Sequence, residues 1–224
     1  MCSEHLKDSV FALYDIDAER LEESRVILEA MRVTKGGFGS IECYCGEENR
    51  KDALRGATFV INAIQVGGYD PCTIIDFEIP KKYGLRQTIA DTLGIGGIMR
   101  ALRTIPVMEE FARDMEEVCP EAWLLNYTNP MAMLTGYMLR YTKIKTVGLC
   151  HSVQVCSQAL LTGLGMEDKL EGRKELIAGI NHMAWLLELT DKDGNDLYPA
   201  LKKKFNEVRP AGDLVRLDMM NKFG

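Results

Sequence analysis

The first 150 residues of the chain alternate between short apolar runs and amphipathic stretches. Apolar runs of strand length lie at residues 9–14, 40–44, 57–64, 122–125 and 146–149. Residues 18–33 and 104–118 instead repeat apolar side chains at helical spacing. Strands that alternate with helices predict a parallel sheet with right-handed crossovers. The pattern therefore predicts an α/β fold.

The same pattern makes local predictions. Residues 69–102 are expected to be rich in loops, and residues 185–190 with the turn 191–194 predict a β-hairpin. Thr104 and Pro106 are expected to begin the second long helix, which should end before Pro120. The expected buried face of the first helix consists of Leu21, Leu28 and Met31. That of the second consists of Met108, Phe111, Met115 and Val118.

Composition excludes several classes of partner. The 224 residues carry a net charge of −6 and a pI near 5.2, which argues against binding nucleic acid or an anionic membrane surface. No apolar run reaches the roughly 18 residues of a membrane span, and the first residues lack the plan of a signal peptide. Seven cysteines without a repeated spacing indicate reduced thiols in a cytoplasmic protein.

The segment Thr146-Val-Gly-Leu-Cys150-His151-Ser152 carries the first candidate chemistry. An apolar run ends at Cys150, and Ser152 begins an amphipathic stretch. A thiol between a strand and a helix N-terminus lies in positive potential, which favours the metal-binding thiolate. His182 lies downstream and could share a divalent metal with Cys150. The alternative is that Cys150 is a small core residue and that His182 has a structural role.

Two acids follow the first predicted strand. A strand that ends in an acid such as Asp15 can hold the adenosine ribose of a dinucleotide. Alternatively, Asp17 caps the next helix and Asp15 is only solvated. The glycine-rich turn that usually precedes such an acid by roughly 20 residues is absent from the 14 residues before Asp15.

Two further motifs have both a functional and a structural interpretation. The glycine-rich segment at residues 94–97 could let a backbone approach a ligand or be a flexible loop. Asp91 beside it is an ordinary loop acid unless that loop lines a site. Asn129 before Pro130 is typical of a helix start, unless its amide faces a ligand.

Six ordered segments carry a resemblance to a known family. They are ALYDID with RLEES (12–17, 20–24), QVGGY (65–69), QTIADTLGIGGIMRALRTI (87–105), NYTNPMAM (126–133), VGLCHSV (147–153) and AGINHMA (178–184). In this order and spacing the chain resembles glycoside hydrolase family 4, and within it the α-galactosidases. The resemblance implies a Rossmann-like parallel sheet of the lactate/malate dehydrogenase type, followed by the start of an α+β substrate domain.

The resemblance also implies an unusual reaction, an exception among glycosidases. In this family NAD⁺ takes a hydride from C3 of the sugar, and the resulting ketone acidifies the proton on C2. A divalent metal, usually Mn²⁺, binds the C2 and C3 oxygens and stabilises the enediolate. A base removes the C2 proton, the aglycone leaves from C1, water adds and the hydride returns.

Family roles carry over to matching positions of this chain. Cys150 and His182 match the metal ligands, and Asn129 matches the residue that contacts the substrate. Asp15 matches the ribose acid. Asn62 and Ala63 lie where the family's chain passes the cofactor.

Asp91 and His151 complete the set. Asp91 matches an acid of the sugar pocket. His151 follows the metal cysteine, where the phosphoglycosidases of the family have an aspartate that acts as general acid. A histidine there favours an unphosphorylated sugar, and its imidazolium is a candidate to protonate the leaving oxygen.

The expected organisation is an incomplete NAD-binding domain at residues 1–150 and the beginning of a substrate domain at 151–224. The family's first strand and its second half, which supplies the base, are expected to be missing. The expected partners are an α-glycoside and further copies of the chain as a homo-oligomer. Two alternatives remain: a 2-hydroxy-acid dehydrogenase of the lactate/malate type, and a non-catalytic remnant.

Overall fold

The structure is a computed structural model that describes residues 3–37, 39–87, 89 and 91–224. Thr88 and Ala90, within the family-like segment 87–105, lie outside the described residues. The chain forms two compact units, Met1–Gly148 and Leu149–Gly224. The strands are β1 (Val10–Asp15), β2 (Ser40–Cys45), β3 (Phe59–Asn62), β4 (Trp123–Asn126), β5 (Lys145–Gly148), β6 (Lys174–Ile180) and β7 (Met183–Thr190). The helices are α1 (Ala18–Thr34), α2 (Arg50–Leu54), α3 (Ile74–Lys82), α4 (Gly94–Val118), α5 (Met131–Tyr141), α6 (Ser152–Gly163), α7 (Tyr198–Val208) and α8 (Leu214–Phe223).

The first unit is built on parallel strands, as the alternating pattern predicts. β1 pairs with β2 in parallel, with Val10 opposite Ser40. β3, β4 and β5 form a second parallel sheet in that order. Within the described residues these are two separate sheets rather than one. The α/β prediction is confirmed, and the carboxyl ends of β3, β4 and β5 meet at one edge, where α/β proteins place ligands.

The prediction for residues 69–102 was wrong. This region contains an irregular helical segment (Gly68–Thr73), α3 and the start of α4. The glycines at 94–97 form the first turn of α4. A Cβ on Gly97 would lie 2.7 Å from the carbonyl carbon of Thr92, so glycine permits a close backbone approach there.

The predicted start of the second long helix was also wrong. α4 spans 25 residues and contains Pro106 in its interior. Proline removes one helical hydrogen bond but does not end a helix that tertiary packing holds on both sides. The predicted inner face is confirmed at its centre, because Met108 and Met115 are almost completely buried.

The core of the first unit lies between α4, α5 and the β3–β4–β5 sheet. Its buried apolar side chains include those of Met108, Met115, Leu124, Leu134 and Met138. Helix α1 instead packs on the two-stranded β1–β2 sheet. Leu21 is buried there but Met31 is exposed, so the predicted inner face of α1 was wrong at Met31. A two-stranded sheet is too narrow to cover the whole face.

The second unit contains an antiparallel hairpin and three helices. β6 and β7 pair directly, and the residues between them, Asn181 and His182, form the turn. β7 therefore pairs along its length with the preceding strand, β6. Across the turn predicted at residues 191–194, the structure has an isolated bridge from Thr190 to Asp196 and a backbone hydrogen bond from Asp191 to Asn195. A second core packs α6, β7, α7 and α8 together, with Leu161, Leu189, Phe205 and Leu217 almost completely buried.

Over the part of the chain that the structure describes, every helix is too short or too polar to cross a bilayer.

Candidate active site

The ends of β3 and β4 carry two asparagines whose amides hydrogen-bond to each other. Asn62 Nδ2 donates to Asn126 Oδ1 over 2.9 Å, and both side chains are buried. Asn126 Oδ1 also accepts from the backbone of Thr128, and its Nδ2 donates to the Thr135 hydroxyl. The amide of Asn62 is therefore engaged inside the protein, while Ala63 beside it is exposed. Ala63 is thus the more accessible of the two residues that match the cofactor segment.

The structure brings Asn129 and Asp91 together. Asn129 Nδ2 lies 3.4 Å from Asp91 Oδ2, and both residues are partly buried. Asn129 Oδ1 also accepts a hydrogen bond from the backbone of Met131, where α5 begins. The helix-start interpretation is thus partly right, because Asn129 stabilises the first turn while its amide nitrogen faces an acid. An amide and a carboxylate at one edge can hold the hydroxyls of a sugar.

Arg100 holds the backbone of Asn129 in place. Its Nε donates to the backbone carbonyl of Asn129 and its Nη1 to the hydroxyl of Thr73. Arg100 is 8% exposed, so its hydrogen bonds hold the Asn129 segment within the protein. Sequence reasoning did not single out Arg100, although it lies in the family-like segment 87–105.

Arg103, one turn along α4, holds α3 in place. Its guanidinium donates to both carboxylate oxygens of Asp76, at 2.7 and 3.3 Å, and to the backbone carbonyl of Val66. Asp76 is buried at 5% exposure. Sequence reasoning also missed this pair, since nothing in the spacing of residues 76 and 103 indicates contact.

Asp15 and Asp17 have separate roles at the start of α1. Asp17 Oδ1 accepts from the backbone of Glu19 and Arg20, which confirms it as the helix cap. Asp15 forms a bidentate ion pair with Arg20, at 2.6 and 2.7 Å. Hydrogen bonding from Arg20 lowers the pKa of the Asp15 carboxyl, against the opposing effect of burial. A ribose that binds Asp15 would compete with Arg20 for these oxygens.

Cys150 lies between β5 and α6, as its sequence predicts. Its sulfur is 3.8 Å from the hydroxyl of Ser152. Burial raises the pKa of the Cys150 thiol, but hydrogen bonds from the backbone and hydroxyl of Ser152, from the Asn181 amide and from the His151 backbone together lower it. The predicted direction is therefore confirmed. The lowered pKa makes the thiolate, which is the form that binds a metal, easier to form than in a free cysteine.

The β6–β7 turn brings the His182 segment to Cys150 through its neighbour, Asn181. His182 is exposed and adopts a φ of +61°, in the left-handed region where a Cβ is unfavourable. Gly179 also has a positive φ, and a Cβ there would lie 2.5 Å from Ala184 Cα on the paired strand. Positive φ angles therefore occur both at His182, the second candidate metal ligand, and at Gly179 in the strand before the turn.

His151 occupies the position just before α6 and is exposed. Its backbone N–H is among the groups that stabilise the Cys150 thiolate. His151 is therefore adjacent to Cys150 in the chain, and its side chain is accessible to solvent.

The second unit offers donor types that suit a divalent cation. Cys150 offers a thiolate and His182 an imidazole, both good ligands for transition metals. The buried Oδ1 atom of Asn181 has no hydrogen-bond partner among the described residues. Across those residues no three Cys, His, Asp or Glu side chains cluster around one point. The remaining coordination positions would be filled by oxygens from substrate or water.

Two family models match most of the chain. The model of the family 4 glycosyl hydrolases matches residues 1–166, and that of the family 4 glycosyl hydrolase C-terminal domain matches residues 177–224. The chain belongs to the family 4 glycosyl hydrolases. The resemblance stated from the six sequence segments is thereby confirmed.

Two relatives from the family show what share of a family member's length this chain spans. It is 60% identical to an alpha-galactosidase of Bacillus subtilis over 100% of this chain and 51% of the relative. It is 34% identical to an alpha-galacturonidase of Thermoanaerobacter italicus over 95% of this chain and 49% of that protein. The chain therefore spans about half the length of these relatives.

Solved structures confirm the Rossmann-like fold. A 6-phospho-alpha-glucosidase from gut microorganisms, in complex with NAD and Mn²⁺, has a TM-score of 0.76 at 23% identity, over 88% of this chain and 44% of that chain. Malate dehydrogenase of Plasmodium falciparum has a TM-score of 0.61 at 15% identity, over 99% of this chain and 62% of that chain. At these identities the likeness establishes the fold alone. The likeness to malate dehydrogenase therefore shows a shared fold and no shared activity.

Proposed function

We propose that this chain is the part of an NAD⁺- and Mn²⁺-dependent α-galactosidase that holds the cation and part of the sugar and cofactor sites. The observation that carries the proposal is the proximity of Cys150 to the β6–β7 turn. The side chain of Asn181, which precedes His182 in that turn, is among the groups that lower the pKa of the Cys150 thiol. In a family 4 chain this connection joins the two segments that match the metal ligands. The 60% identity to an alpha-galactosidase supports the choice of sugar.

When bound, NAD⁺ would supply a hydride acceptor for the sugar, and the divalent cation would supply Lewis acidity at the sugar oxygens. Cys150 and His182 would hold the cation. Hydrogen bonds to the Cys150 sulfur lower the pKa of its thiol, which would make the metal-binding thiolate easier to form. Asp15 would hold the ribose of the nucleotide after exchanging its bonds with Arg20.

The sugar would be oriented by polar groups in the first unit. Asn129 donates through its amide and Asp91 accepts through its carboxylate, and Arg100 fixes the backbone of Asn129. These contacts would set the orientation of the sugar ring, and Asp91 remains a candidate catalytic acid. The exposed imidazole of His151 would deliver the proton that the leaving oxygen needs.

The wider assignments are part of the same proposal. We assign residues 1–150 to the NAD-binding domain and 151–224 to the substrate domain. The division of the chain at Gly148 and Leu149 agrees with that boundary. The six cysteines that the structure describes are all free thiols, which supports a reducing, cytoplasmic location. The homo-oligomeric state remains a prediction.

The proposal is best tested in a chimera in which this chain replaces the matching half of the Bacillus subtilis alpha-galactosidase. The chimera should cleave nitrophenyl α-galactoside only when both NAD⁺ and Mn²⁺ are present. Cys150→Ser should abolish turnover, while Cys119→Ser, a buried thiol of the first core, should retain it. Turnover that persists after both groups are removed would refute the proposed function. A chimera that folds and binds NAD⁺ and Mn²⁺ without turnover would favour the non-catalytic alternative.

A further inference from the structure

The Oδ1 atom of Asn181 is buried, yet no described residue donates a hydrogen bond to it. A buried amide oxygen without a partner is unfavourable and calls for an explanation. The Asn181 amide also lies beside the Cys150 sulfur, because it is among the groups that lower the pKa of that thiol. Asparagine donates only through its NH₂ group, so Nδ2 is the atom that faces the thiolate.

The turn conformation does not account for asparagine at this position. Asparagine is common in tight turns because it tolerates the left-handed region. In the β6–β7 turn, however, the residue in that region is His182, with φ of +61°, and not Asn181. The choice of asparagine at 181 therefore follows from its side chain rather than from its backbone.

We propose that Asn181 is a positioning residue of the divalent-cation site. Its Nδ2 group holds the Cys150 sulfur in place, and its Oδ1 atom accepts a hydrogen bond from a water molecule bound to the cation. Residues that hydrogen-bond a metal ligand in this way fix its orientation and tune its affinity. This inference rests on the proposed function, in which Cys150 and His182 hold the cation.

The test is Mn²⁺ binding by the purified chain under reducing conditions, measured by calorimetry. The absorption of the Co²⁺ form reports sulfur–metal bonding directly, through its thiolate-to-metal charge-transfer band. Asn181→Ala should weaken Mn²⁺ binding by about 10-fold or more, as loss of such a contact does elsewhere, and should change the Co²⁺ band. Asn181→Ser is a second, smaller polar variant in case the alanine variant is unfolded by circular dichroism.

The matched control is Met183→Ala, because Met183 is exposed and begins β7 directly after the turn. It should leave both the affinity and the Co²⁺ band unchanged. An Asn181 variant that matches the parent chain, or loses no more than Met183→Ala does, would overturn the role of Asn181. Cys150→Ser and His182→Ala separate this from the proposed function. If they lose the cation while the Asn181 variants keep it, only the inference fails. If the parent chain binds no Mn²⁺, the cation site and the inference both fail.

Discussion

Asn62 and Asn126 end two adjacent parallel strands and hydrogen-bond through their buried amides at 2.9 Å. This pair joins β3 to β4 at the edge from which the Asn129 segment continues. Asn126 also satisfies the backbone of Thr128 and the hydroxyl of Thr135. The edge is therefore held by a polar network rather than by apolar packing alone.

The first prediction concerns that network. Asn126→Leu keeps the approximate volume but leaves the Asn62 amide and the Thr128 N–H without their acceptor. Each unsatisfied buried group costs about 1–3 kcal/mol, so we expect a loss of roughly 3 kcal/mol in urea unfolding. Asn221→Leu, which breaks an exposed amide pair with Asn206, should cost no more than about 0.5 kcal/mol. Equal losses in the two variants would contradict this account of the network.

The second prediction compares two ion pairs on α4. Arg103→Met leaves the carboxylate of Asp76 buried without its cation, and we expect a loss of about 3–5 kcal/mol. Arg113→Met removes an exposed pair with Glu109, which should be worth at most about 1 kcal/mol. The free energy of unfolding in urea distinguishes them. A small effect at Arg103 would mean that water or another group replaces its contacts.

The third prediction follows from the left-handed backbone of His182. Glycine adopts this conformation freely, so His182→Gly should be more stable than His182→Ala by about 1 kcal/mol. Both variants should lose Mn²⁺ binding, because both lack the imidazole. Thermal unfolding with and without Mn²⁺ measures both effects. Equal stability of the two variants would indicate that the turn relaxes when the imidazole is removed.

The fourth prediction uses two cysteines with opposite pKa shifts. Hydrogen bonding lowers the pKa of Cys150 despite its burial, whereas burial raises the pKa of Cys43. Iodoacetamide reacts with thiolate, so it should modify Cys150 at a lower pH than Cys43, as measured by peptide mass spectrometry. Ser152→Ala should move the Cys150 profile to higher pH. Identical profiles for the two cysteines would contradict the assignment.

The lowered pKa of Cys150 also makes the stability of the folded chain depend on pH. Because the pKa of Cys150 is lower in the folded chain than in the unfolded chain, loss of the proton favours the folded state. This contribution is complete above the unfolded pKa and disappears as the pH falls through the folded pKa. Cys150→Ser should therefore remove a part of the stability that increases as the pH rises through the folded pKa.

The sequence indicated the elements whose signal is local. Hydrophobic periodicity located α1 and the parallel strands, and the strand–thiol–helix pattern predicted the direction in which the pKa of Cys150 shifts. It failed where tertiary packing overrides local preference. Pro106 and the glycines at 94–97 suggest breaks, yet α4 runs through them because its inner face is buried against the core.

The candidate site was predictable where a sequence motif marks a single position, but not where a contact depends on the folded chain. Family motifs indicated Cys150, His182, Asn129 and Asp91 as single positions, and the structure links Asn129 to Asp91 and the His182 turn to Cys150. The supporting residues Arg100 and Asn181 lie in two of the family-like segments, but the sequence assigned neither of them a role. Their roles follow from which backbone carbonyl or sulfur they reach, and only the folded chain determines that.

The most direct test of the central claim is the fate of the hydrogen on C2 of the sugar during turnover by the chimera in D₂O. Elimination after oxidation at C3 requires removal of the C2 proton, so the galactose released should carry deuterium at C2 by NMR. No galactose should be released when NAD⁺ is withheld or when Cys150 is replaced by serine. Efficient cleavage that leaves C2 fully protonated would contradict the assignment of this chain to an NAD⁺- and metal-dependent glycosidase.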